Sequence, residues 1–419
     1  MKARFAVTVL LITIMVMFAI ATMDQANAAS EKSVKIGIIF PMSGPMALLG
    51  GESFAAAEIA KEIVNERGGV LGKKVEYVVA DAPDATAANT EATRLIIKEG
   101  VKLLMGTYSS SLCIAASEVA EREGVIYWEL IAVADKITNR GYKNIVRLNF
   151  SSSMQGETAA NFAKFVADKL GIRPNEFRVA IVSEDSDFGM SVGDGAIAKA
   201  KEIGLKLVGD ERYSKNLTDF SSMVLKLKAA NPHALIATSY LNDGITIWRQ
   251  ARELDLNLKA MIGIGQGYGL PDFIKAHGDN GNGVFSVDPP IKQKVEGFLQ
   301  NTQKLYPVFL SRFKEKMKRD PGALALVSFS GAWTLMTEVL PKTGSVDPNK
   351  IRKVAHALDL PMGYYLTGGG VKLNDKGQNI RALVGVNQWQ NKELQVAWPD
   401  NLATAKPIMI PLPKWSERR

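Results

Sequence analysis

Short apolar runs alternate with helical runs twice over in this chain, and that rhythm constrains the fold more than any other feature. Residues 34–40 form a near-continuous apolar run. Continuous rather than alternating apolarity marks a strand buried on both faces, as in a parallel sheet. A helix is expected over 52–67, with Ala56, Ile59, Ile63 and Val64 at helical spacing. Gly68-Gly69 stops it, because glycine takes a left-handed helix terminus without steric cost. Strands at 75–80, 101–105 and 125–128 then alternate with helices at 85–99 and 112–123. The rhythm restarts after Asn149: helices over 154–170, 189–203, 219–230 and 243–254 alternate with strands over 178–183, 205–210 and 234–238. Such alternation predicts a parallel sheet with helices on both faces, and two successive sets predict two such units. The length of 419 residues agrees, since single cores stop growing beyond roughly 250–300 residues.

The last third reads differently. Long helices are expected over 299–318 and 324–340, a hairpin over 364–373 and another over 384–398 turning at Asn391-Lys392. No low-complexity linker separates the two sets, so lobes joined by several short crossings are expected rather than beads on a string.

Composition excludes several function classes. The chain is 47% hydrophobic and 22% charged with a formal charge of +8, but the two signs are interleaved and leave no basic stripe for nucleic acid. The single cysteine, Cys113, rules out an intrachain disulfide and a Cys-ligated metal cluster. At the N-terminus, Lys2 and Arg4 precede an apolar run over 5–21 and the small-x-small triplet Ala26-Asn27-Ala28. This order reads as a cleaved Sec signal peptide over 1–28; the apolar run, about 17 residues, is at the lower edge for a membrane span. No cysteine lies near the cleavage site to carry a lipid, so a periplasmic location in a double-membraned bacterium is expected. The remaining chain shows no stretch read as long enough to cross a bilayer.

The run Val34-Lys35-Ile36-Gly37-Ile38-Ile39-Phe40-Pro41-Met42-Ser43-Gly44-Pro45 resembles the opening of leucine/isoleucine/valine-binding proteins, the type I periplasmic binding proteins. Further matches follow in order: Gly68-Gly69-Val70-Leu71-Gly72-Lys73, Gly106-Thr107-Tyr108-Ser109-Ser110-Ser111, Asp187-Phe188-Gly189, Asp219-Phe220-Ser221 and Trp248-Arg249-Gln250-Ala251-Arg252. Each is weak alone; their order and spacing over the whole mature chain are specific. The resemblance implies an α/β fold of two doubly wound, Rossmann-like lobes joined by three hinge crossings near Asn149, Asp288 and Gly385. One lobe would comprise 29–148 plus 289–384 and the other 149–288 plus 385–412. The ligand would sit in the interlobe cleft and the lobes would close on it by hinge motion. Partners implied are an ABC permease and its separate ATPase subunits.

The site follows residue by residue. The Ser109-Ser110-Ser111 segment precedes an expected helix, and hydroxyls with free backbone N–H groups at a helix N-terminus suit a carboxylate. In the family this segment holds the ligand's carboxylate, with Ser110 the direct match and Ser109 its neighbour; a plain helix cap is the alternative. The stretch Trp128-Glu129-Leu130-Ile131-Ala132-Val133 matches the family's second ligand-touching loop, Ala132 and Val133 at its end. Val133 stands where amino-acid binders carry a threonine that helps hold both ends of the ligand. Glu129 either faces the cleft, where it would receive a cation, or caps and pairs structurally. Phe188 fills the aromatic position before glycine, and Tyr240 that of the cleft tyrosine. Gln266 replaces the family's glutamate against the ligand ammonium, and Leu49 an aromatic residue. Neutral glutamine cannot neutralise a buried ammonium, and an unpaired buried charge is expensive. These departures point to a ligand that keeps its carboxylate and lacks the α-ammonium, unless Glu129 replaces the lost acid.

An enzyme is the first rival. His233, His277 and His356 fall in no catalytic or metal-ligand spacing. The 68–74 segment lacks the first phosphate-loop glycine, Arg67 sitting there, and no hydroxyl follows its lysine. In the 263–269 loop Tyr268 occupies the third glycine of the dinucleotide pattern. No enzymatic activity, cofactor or metal is therefore expected; the Glu184-Asp185-Asp187 cluster lacks calcium-loop spacing. The second rival is a ligand-sensing protein that docks on a membrane-bound signalling receptor, since the same fold serves both roles.

Overall fold

The computed structural model describes residues 33–214, 216–291 and 294–418, without the side chains of Gln266 and Val295. The leader expected over 1–28 lies outside the described residues. The first sheet holds β1 (Ser33–Phe40), β2 (Lys74–Asp81), β3 (Leu103–Gly106), β4 (Ile126–Glu129) and β5 (Ile145–Arg147), all parallel, in the order β2-β1-β3-β4-β5. Helices α1 (Ala47–Glu66), α2 (Ala85–Ile97) and α3 (Ser110–Arg122) connect them. The pleat of β1 explains its unbroken apolar run. Ile36, Ile38 and Phe40 enter the core on one face of the sheet, and Ile39 enters the core on the other.

The chain then enters the second sheet through α4 (Ser152–Lys169), β6 (Arg178–Glu184), α5 (Asp187–Glu202) and β7 (Lys206–Tyr213). After these come α6 (Ser221–Ala230), β8 (Ala234–Thr238), α7 (Leu241–Glu253), β9 (Ala260–Ile264), the helical turn Gln266–Gly269 and β10 (Phe285–Asp288). The parallel part runs β7-β6-β8-β9-β10, the same winding as the first sheet. Two antiparallel strands, β11 (Gly385–Gln390) and β12 (Glu393–Trp398), extend it beyond β10. The fold is thus α/β with two doubly wound lobes. The expected hairpin turn is present: Asn391 and Lys392 both take positive φ, as a two-residue hairpin loop requires.

Between β10 and β11 the chain returns to the first sheet. There α8 (Gln300–Met317) and α9 (Ala323–Thr334) cover the face presented by Ile36, Ile38 and Phe40. Phe309 of α8 and Phe329 of α9 meet with ring centroids 4.6 Å apart. Residues 323–343 form a run long and apolar enough to cross a membrane, contrary to the sequence expectation. Its most apolar stretch is 83% buried inside the protein, so its apolarity is that of a core helix. The hairpin expected over 364–373 also differs. Val371–Lys372 pairs antiparallel with Asp359–Leu360, earlier in the chain than expected. Residues 363–369 instead close an irregular loop, with Gly363 N–H donating to the Gly368 carbonyl at 2.7 Å and the Tyr365 side chain turned into the core.

Candidate functional site

Both sheets reverse their strand order, the first between β1 and β3 and the second between β6 and β8. Open α/β sheets bind ligands beyond the carboxyl ends of their strands at such reversals. A cavity of about 50 Å³ lies among these strand ends, where one water needs roughly 10–15 Å³. From the first lobe, Tyr108, Ser109 and Ser110 line it after β3, Ile131 and Val133 after β4, and Leu324 at the start of α9. Phe150 and Gln155 follow β5; Phe188, Tyr240, Gly265 and Asp288 complete the wall from the second lobe.

Ser109 is the N-cap of α3 in an extended conformation, yet no side chain caps that helix. Its hydroxyl lies 3.2 Å from that of Ser111. Ser110 Oγ accepts the Ala134 N–H at 3.0 Å, which leaves its own proton to donate. This corner therefore presents hydroxyls and uncapped amides, the donor set that suits an anion. Val133 offers no hydroxyl; its carbonyl accepts the Ser152 N–H at 2.7 Å, and its side chain joins the second lobe's core.

Three aromatic rings cross the cavity. Tyr108 and Tyr240 have centroids 6.2 Å apart, and Tyr240 and Phe188 5.8 Å. Burial, first of all, pushes the Tyr108 and Tyr240 hydroxyls well above the usual phenol range, so both stay neutral. Gly265 has φ +80°, and a Cβ there would sit 3.0 Å from the Phe188 ring; glycine is what lets the backbone approach that ring. Below Tyr240, the fully buried Glu184 is pushed up to about 7, chiefly by desolvation. Ser186 donates to its Oε1, and Oε2 has no hydrogen-bond partner among the described residues. Desolvation likewise raises Asp243 to about 6.

Of the residues expected from sequence, the structure brings Ser109, Ser110, Val133, Phe188 and Tyr240 together on the wall. Glu129, Ala132 and Leu49 are not on it. Glu129 is fully buried behind the loops. Its Oε2 accepts the Thr107 N–H at 2.9 Å, and its Oε1 accepts those of Ile131 at 2.8 Å and Ala132 at 2.7 Å. The carboxylate thus ties the loop after β3 to the loop after β4 instead of reaching the cleft. Desolvation pushes it up to about 7 against those hydrogen bonds. Ala132 supplies one of these amides and Leu49 packs in the first lobe's core. Gln266 opens the helical turn next to Gly265; its side chain is outside the described part. Among the described residues, no group of His, Cys, Asp or Glu is arranged to hold a metal ion.

Sequence reasoning missed Tyr108, Phe150, Gln155, Gly265, Asp288 and Leu324. Tyr108 sits beside Ser109 in a motif already singled out, and Asp288 ends a strand, where the strand-end rule points. Leu324 and Gln155 carry no comparable local signal.

Comparison with known proteins supports the same picture. The family model described as "Periplasmic binding protein" matches residues 33–392. The chain is similar to Leu/Ile/Val-binding protein homolog 7 of Brucella abortus (strain 2308), at 34% identity over 407 residues, 95% of this chain and 99% of that one. It is also similar to homolog 8 of Brucella suis biovar 1, at 36% identity over 392 residues, 92% and 96% of the two chains. The crystal structure of a leucine-binding protein LivK from Thermotoga maritima superimposes with a TM-score of 0.75 at 25% identity, covering 88% of this chain and 100% of that one.

Proposed function

The chain belongs to the periplasmic binding protein family, and from that premise we propose that it is the solute-capturing component of an ABC importer of the branched-chain amino acid type. It takes an amino acid or related small carboxylate into the cleft and closes residues 29–148 plus 289–384 over 149–288 plus 385–412. It then hands the ligand to a membrane permease driven by separate ATPase subunits. The leader over 1–28 directs it to the periplasm. The observation that carries this reading is the cavity itself: Ser109 and Ser110 of one lobe share a wall with Phe188 and Tyr240 of the other. A ligand touching all four gains contacts in the closed state alone, and only such differential affinity drives closure. Ser109, Ser110 and the first turn of α3 receive the carboxylate; the aromatic and aliphatic wall receives an apolar side chain.

The test is a thermal-shift screen of protein unfolded and refolded to strip carried-over ligand. A ligand that binds only the folded state at a hundred times its Kd stabilises it by about 2.7 kcal/mol. Branched-chain and aromatic amino acids and their deaminated acids are the panel. At least one class should raise the melting temperature, and Ser110→Ala should weaken that ligand by about tenfold. No shift with any small carboxylate would sink the reading.

A further inference from the structure

We infer that Gln155 and Asp288 form a subsite for a cationic nitrogen in the cavity, taking the place of the acid that Gln266 and the hydroxyl that Val133 do not supply. The inference rests on the solute-binding reading above and specifies the ligand's second end. Both residues line the cavity, and both are almost fully buried, at 2% and 4% exposure. Gln155 Nε2 donates to the Val287 carbonyl at 3.1 Å and to Asp288 Oδ1 at 3.4 Å. Those two acceptors fix which way the carboxamide points. Its Oε1 is then left buried with no hydrogen-bond partner among the described residues.

A buried acceptor without a donor costs free energy, and native proteins rarely leave one without a reason. Here the orphan belongs to a side chain that lines the cavity beside a carboxylate. Ser286 Oγ donates to Asp288 Oδ2 at 2.9 Å and holds the carboxylate in place. The wall thus presents acceptors at Gln155 and Asp288 and donors at Ser109 and Ser110. An alkylammonium brings three N–H donors and a positive charge; a carboxylate brings the acceptors the serines need. The ligand class that satisfies both corners is an α-amino acid with an apolar side chain rather than a deaminated acid. Gln155 and Asp288 come from α4 and β10, so recognition of the ammonium falls to the second lobe.

The probes are L-leucine and L-phenylalanine, the deaminated 4-methylpentanoate and 3-phenylpropanoate, and the amines 3-methylbutylamine and phenethylamine. Calorimetry on the refolded wild type, Asp288→Asn and Gln155→Met gives the affinities. Melting temperatures of the unliganded variants check that each is folded, and either variant alone suffices if the other is not. The expected result is amino-acid binding weakened roughly 30-fold or more by Asp288→Asn, and by less in Gln155→Met. Affinity for the deaminated acids should be unchanged or improved. If the wild type prefers deaminated acids, or both variants bind amino acids as the wild type does, the subsite is overturned while the solute-binding reading stands. If the amines bind as well as the amino acids, the subsite stands and the carboxylate corner fails. If no probe binds, the small-carboxylate reading falls and the subsite with it.

Discussion

At the scale of single residues, the two buried glutamates carry the clearest chemistry outside the cavity wall. Glu184 is held at about 7, above the ordinary carboxylate value of 4.5. Between those pH values the folded state binds the proton that the unfolded state has released. Its stabilising contribution is therefore complete below about 4.5 and is lost as the pH rises through 7. Glu184→Gln removes that dependence. Its stability relative to wild type should grow between pH 5 and 8 by up to about 3 kcal/mol, read from urea midpoints; parallel pH profiles would refute the assignment. Some of the site was legible at this scale. Ser109, Ser110, Phe188 and Tyr240 each follow directly on a strand and sit in recognisable local motifs, so their place on the wall follows from the strand-end rule. The direction of Glu129 was not legible, because it depends on Ile131 and Ala132 turning their amides back onto the carboxylate two and three residues earlier. Gln155 and Leu324 owe their place in the wall to chain crossings that no local pattern encodes.

At the scale of elements, the period of apolar residues located most strands and helices. In the two large sheets it passed over three strands, Ile145–Arg147, Ala260–Ile264 and Phe285–Asp288; all are short, and the last two are interrupted by Gly263 and Ser286, so they lack the apolar continuity of β1. The apolarity of 323–343 misleads in the other direction, since a helix buried all round and a membrane helix share one composition. Helices α4 and α5 pack backbone against backbone at Gly156. A Cβ on Gly156 would stand 2.3 Å from the Val192 carbonyl oxygen and 2.5 Å from the Ala196 nitrogen, so backbone rather than a movable side chain would have to yield. Gly156→Val should force the helices apart and cost about 1–3 kcal/mol. Chemical denaturation checks this, and an unmoved midpoint would mean the pair can slide without loss.

At the scale of the whole molecule, two α/β units followed from the repeated strand–helix rhythm, whereas the cleft between them and the partition of 29–148, 149–288, 289–384 and 385–412 rest on the family resemblance. Among the described residues, polar contacts across the cleft mouth gather on Asp135 and Lys136, and Ser153 Oγ donates to Asp135 Oδ1 at 3.1 Å. The Asp135 N–H donates to Ser191 Oγ at 3.1 Å, and Lys136 meets Asp187 at 3.4 Å with the lysine side chain 60% exposed. Exposed pairs of that kind are worth ~0–1 kcal/mol, so on the proposed closing mechanism the Lys136–Asp187 pair adds little to what the ligand supplies. Small-angle scattering should therefore show the radius of gyration falling as the ligand that raises the melting temperature is titrated in. A radius that stays constant to saturation would mean the lobes are already shut without it.

The route of the chain through the two sheets also governs when either can be finished. The first sheet has all five strands by Arg147, but the helices that cover one of its faces arrive only with residues 300–334. The second sheet waits longer still, for a hairpin that ends at Trp398. A polypeptide threaded out N-terminus first therefore has no completed lobe until nearly its whole length has emerged. The topology itself postpones the completion of both lobes to the late part of the chain.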